Sequence, residues 1–222
     1  MSVDQPLHFR HRFVASAERG APTLLLLHGT GGNENDMLPL GHRLAPGANL
    51  LSPRGRVLEG GMPRFFRRLA VGVFDLDDLI EQTHDLAEFL HDASGAYRFD
   101  PRSVVAVGFS NGANIAASLF LLHPGLLRGG VLLKPMLPFE PEVLPDLSGT
   151  DVFVAAGRSD PMAPADQTAR LVNLLEEAGA DVSVAWSPGG HGVTADEVSA
   201  AERWLQRLVS RPADGPDEVP SS

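Results

Sequence analysis

Residues 104–116 start as a short apolar, β-branched run and end in small residues, with Gly108-x-Ser110-x-Gly112 between the two. That change of character predicts a strand, a sharp turn and a helix, with a serine at the turn. A turn this tight strains the backbone of the serine, and glycine two residues to either side avoids Cβ clashes. The serine Oγ then stands clear of the sheet, above the N-terminus of the next helix. That helix, residues 111–123, is apolar nearly all round (Ile115, Ala116, Leu119, Phe120, Leu121, Leu122), so it belongs at the centre of a fold rather than on its surface. The rest of the chain must supply what the serine needs.

The pattern on either side is an alternation of strands and helices. Residues 7–17 alternate apolar and polar, which predicts a half-exposed edge strand. Residues 23–27 are continuously apolar and predict a central strand covered on both faces. They run into the glycine-rich turn His28-Gly29-Thr30-Gly31-Gly32-Asn33. A helix is predicted over 35–45 with Asn35 as its N-cap, and a short strand over 48–52. Residues 54–74 show no period and are too long for an ordinary connection, which predicts a functional or mobile loop. Asp75 caps a helix that runs to about residue 93 and is ended by Gly95. Strands follow at 127–133, 151–157 and 181–186, with a helix over 164–178. The capping box Thr194-x-x-Glu197 opens the last helix. The pattern predicts one α/β domain over 1–210, with a mostly parallel sheet and helices on both faces. Residues 211–222, rich in Pro, Asp, Glu and Ser, predict a disordered tail. In such sheets, sites gather beyond the carboxyl ends of the strands.

Composition narrows the function classes. With 18 Lys and Arg against 28 Asp and Glu, the net charge of −10 repels phosphate backbones, so nucleic acid is excluded as a partner. The absence of cysteine excludes disulfides, thiolate metal sites and a cysteine nucleophile. No apolar run reaches the roughly 20 residues of a membrane span. Residues 1–6 carry neither a basic nor an apolar signal segment, so a cytoplasmic location is expected. No metal or cofactor is called for.

A serine nucleophile needs a base, and the base needs an orienter. His8, His11, His42, His84, His91 and His123 sit at ordinary strand and helix positions. His28 precedes the glycine turn and suits loop support. His191 follows the last strand and lies between Gly190 and Gly192, where the backbone can bend its ring towards Ser110. Asp160, directly after an apolar strand and ahead of Pro161, suits the orienter. Asp166 and Asp151 suit it less, one beside a helix and one at the wrong end of a strand. The order Ser…Asp…His is one of several known for this chemistry. Backbone N–H groups of Asn111 and of Thr30 are positioned to hold an oxyanion. The glycine turn lacks the spacing and the lysine of a phosphate loop.

Four segments together resemble the phospholipase/carboxylesterase (acyl-protein thioesterase-like) branch of the α/β-hydrolases. They are Leu26-Leu27-His28-Gly29-Thr30-Gly31-Gly32, Gly108-Phe109-Ser110-Asn111-Gly112-Ala113, Gly157-Arg158-Ser159-Asp160-Pro161 and Gly190-His191-Gly192. The stretch Gly60-Gly61-Met62-Pro63-Arg64-Phe65-Phe66-Arg67-Arg68 is similar to bacterial carboxylesterases associated with hydroquinone and quinone stress. The resemblance implies an α/β-hydrolase fold with a minimal lid or none. It implies a Ser110–Asp160–His191 triad and an oxyanion hole at Thr30 and Asn111. Where some relatives carry glutamine after the serine, this chain has Asn111; dienelactone hydrolases, which use cysteine, are a poorer match.

The expected activity is that of a serine carboxylesterase acting through an acyl-enzyme on small to medium, apolar or aromatic esters. An acyl-thioesterase or lysophospholipase of the same branch, and a non-catalytic ligand-binding protein of the same fold, are the alternatives. Met62, Phe65, Phe66, Met136 and Leu137, with Phe139, are expected to wall the substrate cleft, and Arg64, Arg67 or Arg68 to meet an anionic substrate group. The expected partner is a small-molecule ester, and a homodimer is compatible with the sequence.

Overall fold

The computed structural model describes residues 7–211. Its first half holds β1 (His11–Val14), β2 (Thr23–Leu27), α1 (Leu38–Leu44), β3 (Asn49–Pro53), β4 (Val57–Glu59), β5 (Met62–Arg64), β6 (Arg68–Ala70), β7 (Val73–Phe74) and α2 (Leu76–Tyr97). Then come β8 (Val104–Phe109), α3 (Asn111–Leu122), β9 (Gly129–Leu133), β10 (Asp151–Gly157), α4 (Ala165–Glu177), β11 (Asp181–Ser187) and α5 (Ala195–Ser210). Residues 1–6, read as lacking a signal segment, and 212–222 of the predicted tail lie outside the described residues.

Seven strands form one sheet in the order β1-β3-β2-β8-β9-β10-β11. Every pairing is parallel except that of β1 on β3 at the edge. The alternation along each strand explains the continuous apolar runs. Leu24 and Leu26 of β2 face one core with Val105, Val107, Val131 and Leu133, under α1 and α5. Leu25 and Leu27 face the other, with Ala106, Leu132 and Val154, beneath the central helix α3. Both faces are covered, so both sets of side chains must be apolar. From β2 the chain moves outward to β3, then returns to β8 on the other side of β2. The crevice between the carboxyl ends of β2 and β8 is therefore a topological switch point, where ligands bind in such sheets.

Three sequence expectations need correction. The first helix starts at Leu38 with Met37 at its cap, not at Asn35. Asn33 and Asp36 bond each other's side chains and backbone across a turn, and Asn35 N–H donates to Asn33 Oδ1, so these polar residues hold a loop rather than a helix. The helix α2 passes through Gly95 to Tyr97 and stops where Arg98 takes a left-handed conformation. Residues 54–74 are not an irregular loop but two hairpins, β4–β5 and β6–β7. Their strands are two or three residues long, too short to show a period-two pattern. Among the described residues, no helix is long and apolar enough to cross a membrane.

Candidate active site

Between β8 and α3 a single residue, Ser110, makes the turn at φ 52° and ψ −113°. A positive φ costs a residue with a Cβ about 1–3 kcal/mol, so surrounding structure must enforce it. Ser110 N–H donates to Leu133 O of β9 at 2.9 Å, and Ser110 O accepts from Asn114 N–H at 3.0 Å. The two flanking glycines act differently. A Cβ on Gly108 would lie 2.4 Å from Gly112 O, within the turn itself. A Cβ on Gly112 would lie 2.0 Å from Leu27 O, so this glycine lets α3 press against the end of β2.

Two loops from adjacent strands meet this serine. His191 Nε2 lies 2.8 Å from Ser110 Oγ, and His191 Nδ1 lies 2.8 Å from Asp160 Oδ2. The Asp160 carboxylate is buried and its Oδ1 accepts the N–H groups of Met162 and Ala163, which fixes its plane. The two loops are joined by backbone bonds from Arg158 N–H to Ser187 O and from Ser159 N–H to Gly189 O. Gly157 makes this possible: a Cβ there would sit 2.4 Å from Gly189 O. Behind the histidine loop, buried Lys134 reaches Glu197 Oε1 at 2.5 Å. Glu197 also closes the capping box with Thr194 and bonds Ser187. Burial alone would push its carboxyl up, but bonds from Lys134, Thr194 N–H and Ser187, and the Lys134 charge, hold it below the ordinary glutamate value. Nothing in the sequence marks Lys134 or Glu197 as partners, because each is polar punctuation in its own segment.

Asn111 opens α3, so its N–H has no carbonyl four residues back within the helix. Thr30 lines the same cleft as Ser110 and Asn111. The segment 63–65 ties the Thr30 and Asn111 sides together. Pro63 O accepts from Gly31 N–H at 2.9 Å, Arg64 Nη1 donates to Thr30 Oγ1 at 2.7 Å, and Phe65 N–H donates to Asn111 Oδ1 at 2.7 Å. His28 supports this loop. Its Nε2 accepts from Gly55 N–H at 3.0 Å, so its Nδ1–H donates to Gly29 O. Burial lowers its pKa, which keeps the ring neutral.

The cleft beside Ser110 encloses about 30 Å³ and is lined in part by Val71, Phe74, Met136 and Met162. Larger hollows of about 740 and 710 Å³ lie at the opposite, amino ends of β10 and β11, near Asp151 and Asp181, away from all these groups. Of the expected lining residues, Met136 lies in the cleft. Phe65 and Phe66, 1% and 0% exposed, belong to the core, where Phe65 packs on His28 and Phe66 on Phe74. The Phe65 N–H bond to Asn111 turns the chain inward there, and two large rings gain more from the core than from a wet cleft. Leu137 joins the same core, Phe139 packs against it, and Met62 lies exposed over Gly31. Arg67 turns to Asp75 and Asp78, while Arg64 and Arg68 line the cleft. Asn114, not singled out in the sequence, also lines it, and its Oδ1 holds Met136 N–H at 2.8 Å.

Comparison with known proteins identifies the family. A family model described as Phospholipase/Carboxylesterase matches residues 10–209. The chain is 47% identical over 186 residues to MhqD of Bacillus subtilis, named as a hydrolase, covering 84% of this chain and 93% of that protein. It is 48% identical to a carboxylesterase from Bacillus cereus of known crystal structure, with a TM-score of 0.89 over 90% of this chain and 95% of that one. A carboxylesterase from Mesorhizobium loti gives a TM-score of 0.84 at 32% identity, covering 89% of this chain and 94% of the other. The chain thus belongs to the phospholipase/carboxylesterase family, has the α/β-hydrolase fold and is a carboxylic ester hydrolase.

Proposed function

We propose that the protein is a serine carboxylesterase for small esters with an apolar or aromatic portion, and that Ser110 forms an acyl-enzyme. The observation that carries this reading is the continuous hydrogen-bonded path from Ser110 Oγ through His191 to the buried Asp160 carboxylate, 2.8 Å at each step. Ser110 Oγ attacks the ester carbonyl as His191 Nε2 takes its proton. Asp160 accepts from His191 Nδ1–H, holds the tautomer and stabilises the imidazolium. The carbonyl oxygen becomes an oxyanion held by the N–H groups of Asn111 and Thr30, each such donor contributing about 3–4 kcal/mol. His191 then protonates the departing alcohol. Water attacks the acyl-enzyme with His191 again as base, and the acid leaves. The apolar side chains of Val71, Phe74, Met136 and Met162 at the cleft support a substrate with an apolar or aromatic portion.

Turnover of 4-nitrophenyl acetate and butyrate, compared with palmitoyl-coenzyme A and a lysophospholipid, tests the reading. The expected outcome is a kcat/KM on the short aryl esters at least tenfold above either long-chain substrate. Faster turnover of the thioester or lysolipid would replace it with the thioesterase or lysophospholipase reading.

A further inference from the structure

Two guanidinium groups line the cleft beside Ser110, and no carboxylate lines it among the described residues. Arg64 is only 3% exposed. Its Nε donates to Phe66 O at 3.1 Å and its Nη1 to Thr30 Oγ1 at 2.7 Å, and its Nη2 takes part in neither bond. Arg68 donates from Nε and Nη2 to one oxygen of Glu59, at 3.0 and 2.8 Å. The other Glu59 oxygen lies 3.3 Å from Arg64 Nε. One carboxylate thus serves two guanidiniums, and one positive charge is left over at the cleft. Burial, then the neighbouring Arg68 charge, lowers the Arg64 pKa, with Glu59 opposing. A second observation points the same way. Asn111 Nδ2, also at the cleft, is buried and donates to nothing among the described residues. A buried donor without an acceptor costs free energy until one arrives. This local excess of one positive charge stands within a chain of net charge −10, and a neutral ester carries no charge to match it.

We infer that Arg64 and Arg68 form a carboxylate subsite, and that the natural substrate is an ester carrying a carboxylate in addition to the scissile bond. The planar guanidinium fork is suited to a carboxylate, and the partly desolvated setting strengthens the pairing. This inference rests on Ser110 being the nucleophile, because the subsite is defined by its place beside that residue. A role for Arg64 as a brace for Thr30 alone would serve charged and neutral esters equally.

The test compares kcat/KM, corrected for spontaneous hydrolysis, in two pairs of esters. In one the acid side is varied: the 4-nitrophenyl half ester of adipic acid against 4-nitrophenyl hexanoate. In the other the alcohol side is varied: 3-acetoxybenzoate against phenyl acetate. We expect the carboxylate-bearing member of at least one pair to be preferred by about tenfold or more. In Arg68→Gln that ratio should fall towards one, with the thermal transition recorded to show that the variant is folded. Absence of a preference in both pairs overturns the subsite, as does a ratio that Arg68→Gln leaves unchanged in a folded protein. Should Arg68→Gln not fold, the wild-type ratios decide. Failure to hydrolyse any of the four esters would instead overturn the carboxylesterase reading on which the subsite rests.

Discussion

Ser110 is held at φ 52° by its neighbours, and those neighbours are glycines because backbone atoms occupy the space a Cβ would need. An alanine at Gly112 would meet Leu27 O, an atom of the central sheet that cannot move aside. Gly112→Ala should therefore lower stability by about 1–3 kcal/mol and reduce kcat, measured by urea unfolding and ester turnover. Asp160→Asn should keep the geometry but present an amide where His191 needs an acceptor. A loss of kcat of roughly 10⁴-fold is expected, with little change in the thermal transition. A loss below tenfold would remove Asp160 as the orienter. At this scale the sequence is most legible where a polar residue follows the end of an apolar strand. Ser110, Asp160 and His191 all carry that mark, and they meet within hydrogen-bond distance. That Phe65 and Phe66 lie in the core is not legible in the sequence, because an aromatic pair carries no sign of which way the chain turns.

The elements with long periods, β2, β8, α3 and α5, were readable because burial on one or two faces fixes their composition over many residues. The hairpins β4–β5 and β6–β7 were not, since strands of two or three residues leave no period. Their attachment is tertiary, through Pro63, Arg64 and Phe65 to the Thr30 and Asn111 loops. Phe66, fully buried beneath them, is a measure of that attachment. Phe66→Ala should destabilise the protein by about 3–5 kcal/mol in chemical unfolding. A stability change under 1 kcal/mol accompanied by a raised KM would instead make Phe66 a wall of the cleft.

Across the whole molecule, Lys134 and Glu197 join the end of β9, the start of α5 and the histidine loop through one buried ion pair. Breaking it with Glu197→Gln leaves a buried lysine unpaired and should cost about 3–5 kcal/mol near neutral pH. The Glu197 carboxyl is held below its ordinary value of 4.5. Its contribution is therefore fully present above that pH and is lost as pH falls through the lower, folded-state value. The stability gap between wild type and Glu197→Gln should stay constant above about pH 5.5 and narrow below 4.5. A gap that widens in acid would contradict the pairing. The topology that brings these parts together follows from the reversal of strand order between β2 and β8, which puts the serine turn and the Thr30 loop side by side. The claim on which all this chemistry turns is that one serine per chain carries the acyl group. Intact-mass measurement after mixing with a fluorophosphonate or a slowly turned-over ester tests it most directly. One adduct per chain is expected, mapped to Ser110 and absent from Ser110→Ala, whose ester turnover should fall by about 10⁴-fold or more. An adduct on another residue, or full turnover by Ser110→Ala, would contradict the account.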